Sequence, residues 1–210
     1  YKENKMAGKT VQEAFGESII SAIREFAKED MESVAELQTS YLSHVADHQL
    51  KKSLAETLYG ARWIYKLGLA LLVQDEEQMA HVRCQLIDYA AVCEGVLFYM
   101  IRHAMNKRIM RGAKHKYDDP GIHKRPINWT VGREQSVLRK RSLWWLIEIA
   151  ADEGIIKASL QARLHWLRNQ RNTVHIGSRT HHAFLNTSKK AFDIMGELFG
   201  ETRSWKMAHQ

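Results

Sequence analysis

Apolar residues recur every three or four positions along most of the chain, which is the spacing that places them on one side of an α-helix. The first pattern covers residues 11–46, with one longer gap at 28–31, and predicts one or two amphipathic helices. A second covers residues 49–73 and ends in the apolar run LGLALLV, which we expect to be buried. Three acidic residues at 75–77 then begin a third predicted helix, where they suit the positive end of the helix dipole; it runs to about Asn106.

The helical spacing fails between residues 107 and 132, a segment that contains both prolines of the chain and seven Lys/Arg. Such a long loop is usually functional or mobile. Helical spacing returns over residues 134–151, with Gly154 placed to end that helix. A fifth helix is predicted from about Lys157, and a sixth over about residues 180–199, ending near Gly200.

These elements predict an all-α fold. We interpret residues 1–74 as an N-terminal helical extension and residues 75–210 as a helical domain that carries the basic loop 107–132. A chain of 210 residues is long enough for one good core plus such an extension. The pattern leaves open whether the extension docks on the domain.

Charge divides the chain into two unlike halves. Residues 1–100 hold 10 Lys/Arg and 15 Asp/Glu, a net charge of −5, whereas residues 101–210 hold 21 and 9, a net charge of +12. An anionic partner is therefore expected to bind the second half. A solvated basic surface without a ligand is the alternative.

Several partners and compartments are disfavoured by the sequence. No run approaches the roughly 20 apolar residues of a membrane span, and the first residues lack the apolar stretch of a secretory signal. Cys84 and Cys93 lie nine residues apart in one predicted helix, too far for a disulfide, and we expect both to be buried small apolar groups. We therefore expect no membrane partner and a reducing, cytoplasmic location.

The stretch LQARLHWLRNQRNTVHIG, residues 160–177, carries the most informative set of polar residues. At 100° per residue, Arg168 and His175 fall within about 20° of each other on a helix. Asn172 lies about 40° to one side of this pair and Arg171 about 60° to the other. The polar set therefore shares one helix face, beside an apolar stripe formed by Leu160, Leu164 and Leu167.

This stretch resembles the HEPN superfamily of all-helical domains, whose nucleases carry an Arg, often followed by Asn, Asp or His, and then a His after four to six intervening residues. Arg168-Asn169 leaves six residues before His175, whereas Arg171-Asn172 leaves only three. The RN dipeptide thus occurs twice, and both arginines are candidates. The preceding LWWLIEIAADEGII and the earlier QLIDYAAVCEGVLFYM extend the likeness over residues 75–202, with Glu94 resembling the usual intramolecular partner.

The resemblance implies an endoribonuclease that cuts RNA without a metal or other cofactor, at a composite site in a homodimer. Attack of a ribose 2′-oxygen on the adjacent phosphate needs proton transfer, which suits imidazole, and stabilisation of added charge, which suits guanidinium. We expect His175 to be the general acid/base and Arg168 to stabilise the phosphate, with Arg171 as support or as a substrate contact. Asn169 and Asn172 are expected to orient the scissile phosphate. Such proteins serve as toxins, phage-defence effectors or stress nucleases, which implies an antitoxin or regulatory protein as a further partner.

The basic loop is the expected site of RNA-backbone contact, with Tyr117 and Trp129 available to stack on unpaired bases. Its candidate substrate-binding residues are Arg108, Arg111, Lys114, Lys116, Lys124 and Arg125. Two alternatives stay open. The domain either binds RNA or a protein partner without cutting, or it is an unrelated helical protein.

Three further groups of residues receive simpler interpretations. His44 and His48 form an HxxxH spacing that suits zinc, but no accompanying Cys or HExxH-type Glu is present, so a solvated face of the first helix is the favoured interpretation. His181 and His182 follow the RN stretch closely and are either lining residues of the same cleft or polar residues at a helix start. Trp144, Trp145 and Trp166 are assigned to helix packing or to a dimer interface.

Overall fold

The computed structural model describes residue 13 and residues 16–110, 141–173 and 185–209, and within this part of the chain all regular structure is helical. The predicted all-α class is therefore confirmed. The helices are α1 (Glu17–Lys28), α2 (Val34–Ser40), α3 (His48–Ala70), α4 (Asp75–Asn106), α5 (Leu143–Asp152), α6 (Ala158–Asn172) and α7 (Leu185–Ala208).

The first apolar pattern forms two helices. The chain leaves α1 through Asp30, whose φ of 57° is incompatible with a continued right-handed helix. A capping box then begins α2, because the Ser33 side chain accepts from the Glu36 N–H while the Glu36 carboxylate accepts from the Ser33 N–H at 2.7 Å. Asp47 caps α3 in a similar way by accepting from the Leu50 N–H. Residues 41–47 form a connection between α2 and α3 rather than a continued helix.

Helix α4 is the centre of the bundle and begins and ends where the sequence predicts. It packs against α3, α5, α6 and α7, while α1 and α2 pack on α3. Of the described helices, α4 is the one long and apolar enough to span a membrane by length and composition. However, 61% of its most apolar 18-residue window is buried against the rest of the fold, as is usual for the core helix of a bundle.

Helices α2 and α3 share one hydrophobic core with α4 and α7. Leu37, Leu54 and Leu58 belong to the same buried cluster as Leu97 and Phe199. Polar contacts add to this docking: the Tyr99 hydroxyl accepts from the Ala46 N–H at 3.0 Å and from Lys206 Nζ at 2.9 Å. The boundary predicted at residue 74 thus falls in a short turn between two helices that pack on each other.

The expectation that LGLALLV is buried is wrong. Leu69, Leu71 and Leu72 are 36%, 50% and 79% exposed. The reason is that α3 ends at Ala70 and the chain turns at Leu72, which has a φ of 52°, so these side chains project past the packed part of the helix. Gly68 of the same run is buried, close to the His81 ring.

The two glycines expected to end helices behave differently. Gly154 has a φ of 69° and follows α5 directly, as predicted for a left-handed C-terminal position. The prediction that the last helix ends near Gly200 is wrong, because α7 continues to Ala208. Burial of Phe199 and Thr202 on either side of Gly200 outweighs the cost of about 1 kcal/mol that a glycine imposes on a helix interior.

Candidate functional site

Helix α6 presents the predicted polar residues because its opposite side is anchored in the core. Leu160, Leu164 and Leu167 are each 0–1% exposed, which confirms the apolar stripe. At the N-terminus of the helix, the Glu201 carboxylate of α7 accepts from the Lys157 N–H at 2.7 Å. Burial of one side and this cap together fix which side of α6 faces outward.

The three arginines of α6 have different partners. Arg163 pairs with Glu197 of α7, and Arg171 pairs with Glu94 of α4, with Arg171 Nη1 3.4 Å from Glu94 Oε2. Arg168 instead donates from Nη1 to the side-chain oxygen of Asn169 at 3.1 Å. Within the described part of the chain, no carboxylate lies within ion-pair distance of Arg168, so its charge is not balanced by an acidic partner there.

Glu94, the residue expected from resemblance to be an intramolecular partner, thus contacts the second of the two RN arginines. The side chains of Arg171 and Glu94 are 36% and 33% exposed, so water screens the pair substantially. This pair ties the C-terminal turn of α6 to the middle of α4. Arg171 is therefore held against the domain, whereas the partner of Arg168 in the described part of the chain is its neighbour Asn169.

The two asparagines of the candidate site are exposed. Asn169 lies beside Arg168, and Asn172 is the last residue of α6, one turn further along the same face. Thr173 forms the C-cap of the helix. His175 lies outside the described residues, as do His181 and His182, so the joint placement of Arg168 and His175 stays a prediction.

Helix α6 also carries an imidazole, that of His165, which the sequence pattern did not single out. Glu148 Oε1 of α5 lies 2.6 Å from His165 Nε2 and accepts from Gln161 Nε2 at 2.9 Å. The Trp144 ring lies beside the imidazole, with 6.3 Å between ring centroids. The signal in the sequence was Glu148 itself, which is the single charged residue in the apolar run LWWLIEIAA of residues 143–151. A lone charge in a buried helix generally needs a partner, and His165 is that partner.

Of the candidate substrate-binding residues of the basic loop, Arg108 lies within the described part of the chain. Arg108 is exposed just beyond the end of α4 and has a φ of 58°. Arg111, Lys114, Lys116, Lys124 and Arg125 lie outside the described residues, as do Tyr117 and Trp129. The role of these residues in binding stays a prediction.

The interpretation of His44 as part of a solvated helix face is wrong. His44 is 7% exposed in the connection after α2, and its Nε2 lies 3.0 Å from Thr202 Oγ1 of α7. Burial, followed by the nearby charges of Arg203, Lys206 and Lys51, lowers the pKa of His44 to about 4. His48 is exposed at the start of α3, and the described residues contain no group of three or more side chains suited to a metal ion.

The two cysteines also differ from each other. Cys93 is fully buried in α4, and desolvation raises the pKa of its thiol. Cys84 is exposed, so the expectation that it is buried is wrong: it lies on the outward side of α4. Both are free thiols, as expected.

The tryptophans assigned to packing lie in the hydrophobic core or pack against it. Trp145 is fully buried, and Trp166 lies under the Lys190 ammonium, 4.0 Å from its ring centroid. A pocket of about 540 Å³ lies between the turn at Gly154 and the α7 residue Trp205. Its lining includes neither Arg168 nor Arg171, so the candidate site is an outward helix face rather than this cavity.

Comparison of the chain with protein-family models, with curated proteins and with solved structures finds no match. The residues of α6 and their contacts to α4, α5 and α7 are the features from which a function can be inferred.

Proposed function

We propose that this protein is a metal-independent endoribonuclease of the HEPN type, which cuts RNA by attack of a ribose 2′-hydroxyl on the adjacent phosphate. The observation that carries the proposal is Arg168. It projects from an anchored helix beside Asn169 and lacks a carboxylate partner in the described part of the chain, whereas Arg163 and Arg171 each have one.

An arginine whose charge is not balanced by a described carboxylate suits a phosphate ligand. Its guanidinium is charged at any physiological pH and offers parallel N–H donors that match two phosphate oxygens. Arg171 would have to give up Glu94 to make the same contact. Of the two candidate arginines, we therefore assign phosphate stabilisation to Arg168 and a supporting role to Arg171, with Asn169 and Asn172 as amides that orient the phosphate.

The proton-transfer role is assigned to His175 from its spacing in the sequence. It follows Arg168 after six intervening residues, as in the long form of the HEPN motif. Imidazole is the side chain best suited to give or take a proton near neutral pH.

Charge supports an RNA substrate. Residues 101–210 carry a net charge of +12, and seven of their Lys/Arg lie in the loop 107–132. RNA binding by such a surface is driven by release of counterions from phosphates and weakens with salt. We propose the loop residues Arg108, Arg111, Lys114, Lys116, Lys124 and Arg125 as backbone contacts.

A homodimer with a composite site is part of the same proposal. The dimer is expected to sediment at about twice the chain mass of 24.3 kDa. A cytoplasmic toxin or phage-defence role, held in check by an antitoxin or regulatory protein, is the biological setting that the HEPN likeness favours.

The test is cleavage of a mixed RNA pool by the parent protein and three variants. We expect Arg168→Ala and His175→Ala each to lower the rate about 100-fold or more while remaining folded. Arg163→Ala is the matched control: it removes an arginine from the same helix, but one already paired with Glu197, and the rate should stay within about threefold. RNA binding without any cleavage by the parent would instead support a non-catalytic RNA-binding module, and absence of both would point to a protein-binding or scaffold role.

A further inference from the structure

The imidazole of His165 is held by a carboxylate at the edge of the Arg168 face. Glu148 Oε1 lies 2.6 Å from His165 Nε2, and the two side chains are 18% and 22% exposed. The same oxygen accepts from Gln161 Nε2 at 2.9 Å. The pair is thus mostly buried, but each side chain keeps some contact with solvent.

Helix geometry places this imidazole next to the proposed phosphate site. His165 precedes Arg168 by three residues and Asn169 by four, and residues at these spacings have Cβ atoms about 5–6 Å apart on one helix surface. Asn172 follows His165 by seven residues, within about 20° on the helix. A phosphate bound to Arg168 would therefore have the His165 ring within one side-chain length.

The hydrogen bond to Glu148 also determines which nitrogen of the His165 ring can accept a proton. With Nε2–H donating to Glu148, Nδ1 carries the lone pair and is the nitrogen that accepts a proton. The carboxylate would then stabilise the imidazolium that forms, as the acidic member of a catalytic triad does for its histidine. Glu148 also fixes the ring orientation, which spares the entropy of ordering it.

Cleavage by a 2′-hydroxyl needs two proton transfers, one from the attacking oxygen and one to the leaving 5′-oxygen. We propose that His165, held by Glu148, is the general base of this reaction; this inference rests on the proposed ribonuclease function, which already assigns proton transfer to His175. The 2′-hydroxyl proton moves to His165 Nδ1 as the bond between the 2′-oxygen and phosphorus forms. The bond between phosphorus and the 5′-oxygen breaks, and His175 supplies the proton to that oxygen.

The experiment separates the base from the acid by the chemistry of the leaving group. It uses an oligoribonucleotide cut by the parent protein, and the same oligonucleotide with sulfur replacing the bridging 5′-oxygen at the cut position. A thiolate leaves without a proton, so loss of a general acid matters little on the sulfur substrate, whereas loss of a general base still matters.

The key variant is His165→Gln, which keeps a side-chain N–H for Glu148 but cannot take up a proton. We expect it to be slowed about 100-fold or more on both substrates, while His175→Ala is slowed on the oxygen substrate and regains most of its rate on the sulfur substrate. Arg163→Ala is the control for a change on the same helix, because its guanidinium pairs with Glu197 rather than with Glu148. Its rate should stay within about threefold of the parent rate.

Each result bears on a different claim. If the parent cuts RNA and folded His165→Gln cuts both substrates within about threefold of the parent rate, this inference fails and the proposed function stands. Full recovery of His165→Gln on the sulfur substrate would make His165 the acid and overturn its assignment as the base. If His165→Gln does not fold, Glu148→Gln, which keeps a side-chain oxygen for Nε2–H, must show the same loss on both substrates, and an unchanged rate overturns the inference. If the parent cuts no RNA, the proposed function and this inference fall together.

Discussion

Arg171 and Glu94 join α6 to α4 through an ion pair of 3.4 Å between Nη1 and Oε2. The pair links the candidate motif to the acidic residue that the HEPN likeness singles out, across 77 positions of the sequence. It also distinguishes the two RN arginines, since Arg168 has a neutral amide partner instead. This distinction is the basis for assigning Arg168 to the phosphate.

The ion pair should contribute little to stability. Both side chains are about one-third exposed, and pairs of this kind contribute about 0–1 kcal/mol. A double-mutant cycle with Glu94→Gln and Arg171→Gln, measured by urea unfolding, should give a coupling free energy of less than about 1 kcal/mol. A coupling of about 3 kcal/mol would mean that the pair is a buried structural link, contrary to its exposure in this structure.

RNA binding should depend on salt through Arg168. Each phosphate contact to single-stranded RNA contributes about 0.7 to the slope of log K against log salt concentration. Arg168→Ala should therefore reduce this slope by about 0.7, as measured by fluorescence anisotropy of a labelled RNA over a salt series. Arg163→Ala should leave the slope unchanged, because Glu197 already balances that arginine. Equal slopes for the parent and Arg168→Ala would argue against a phosphate contact.

Acid should destabilise the docking of the N-terminal helices through His44. Its pKa is about 4 in the folded protein against an ordinary value of 6.5, so the unfolded chain binds more protons between these pH values. The stabilisation is complete above pH 6.5 and is lost as the pH falls towards 4, by at most about 3 kcal/mol. Within the described part of the chain, the buried His44 Nδ1 has no hydrogen-bond acceptor for the added proton.

The measurement is the urea unfolding free energy of the parent, His44→Gln and His48→Gln at pH 7 and pH 4.5. His44→Gln should lower stability at pH 7 but show a smaller loss on acidification than the parent. His48→Gln, which changes an exposed histidine at the start of α3, should lose as much as the parent. An equal loss of free energy for the parent and His44→Gln between the two pH values would contradict this role of His44.

Two glycines should respond to alanine in opposite directions. Gly200 lies within α7, and the described residues outside its own helix place no atom within 4 Å of an added Cβ, so Gly200→Ala should stabilise the protein by about 0.5–1 kcal/mol. Gly154 has a φ of 69°, and Gly154→Ala should destabilise it by about 1 kcal/mol. Urea unfolding midpoints test both. A destabilising Gly200→Ala would contradict a continuous α7.

The sequence predicted local features well and long-range features poorly. The ends of α4 follow from the acidic residues at its start and from its unbroken apolar spacing, and the turn at Gly154 follows from the left-handed conformation that glycine favours. The burial of His44 depends on Thr202, 158 positions away, which no local pattern specifies. Exposure of Leu72 likewise depends on where the neighbouring helices end.

In the candidate site, too, the sequence predicts local features but not the contacts between helices. The shared face of Arg168, Asn169 and Asn172 follows from helix spacing alone. The pairs Arg163–Glu197, Arg171–Glu94 and His165–Glu148 each join different helices, and helix spacing does not specify which carboxylate each cation meets. The two arginine pairs are what distinguish Arg163 and Arg171, which each have a carboxylate partner, from Arg168.

The most direct test of the central claim is the chemistry of the RNA ends produced in EDTA. An oligoribonucleotide digested by the parent protein with all divalent metal chelated should be cut, leaving 2′,3′-cyclic phosphate and 5′-hydroxyl ends that mass spectrometry identifies. The same sequence with 2′-deoxyribose at the cut position should resist cleavage there, because the attacking oxygen is gone. Cleavage that requires added metal, or that leaves 3′-hydroxyl and 5′-phosphate ends, would contradict a ribonuclease that works through Arg168 and the imidazoles of His165 and His175.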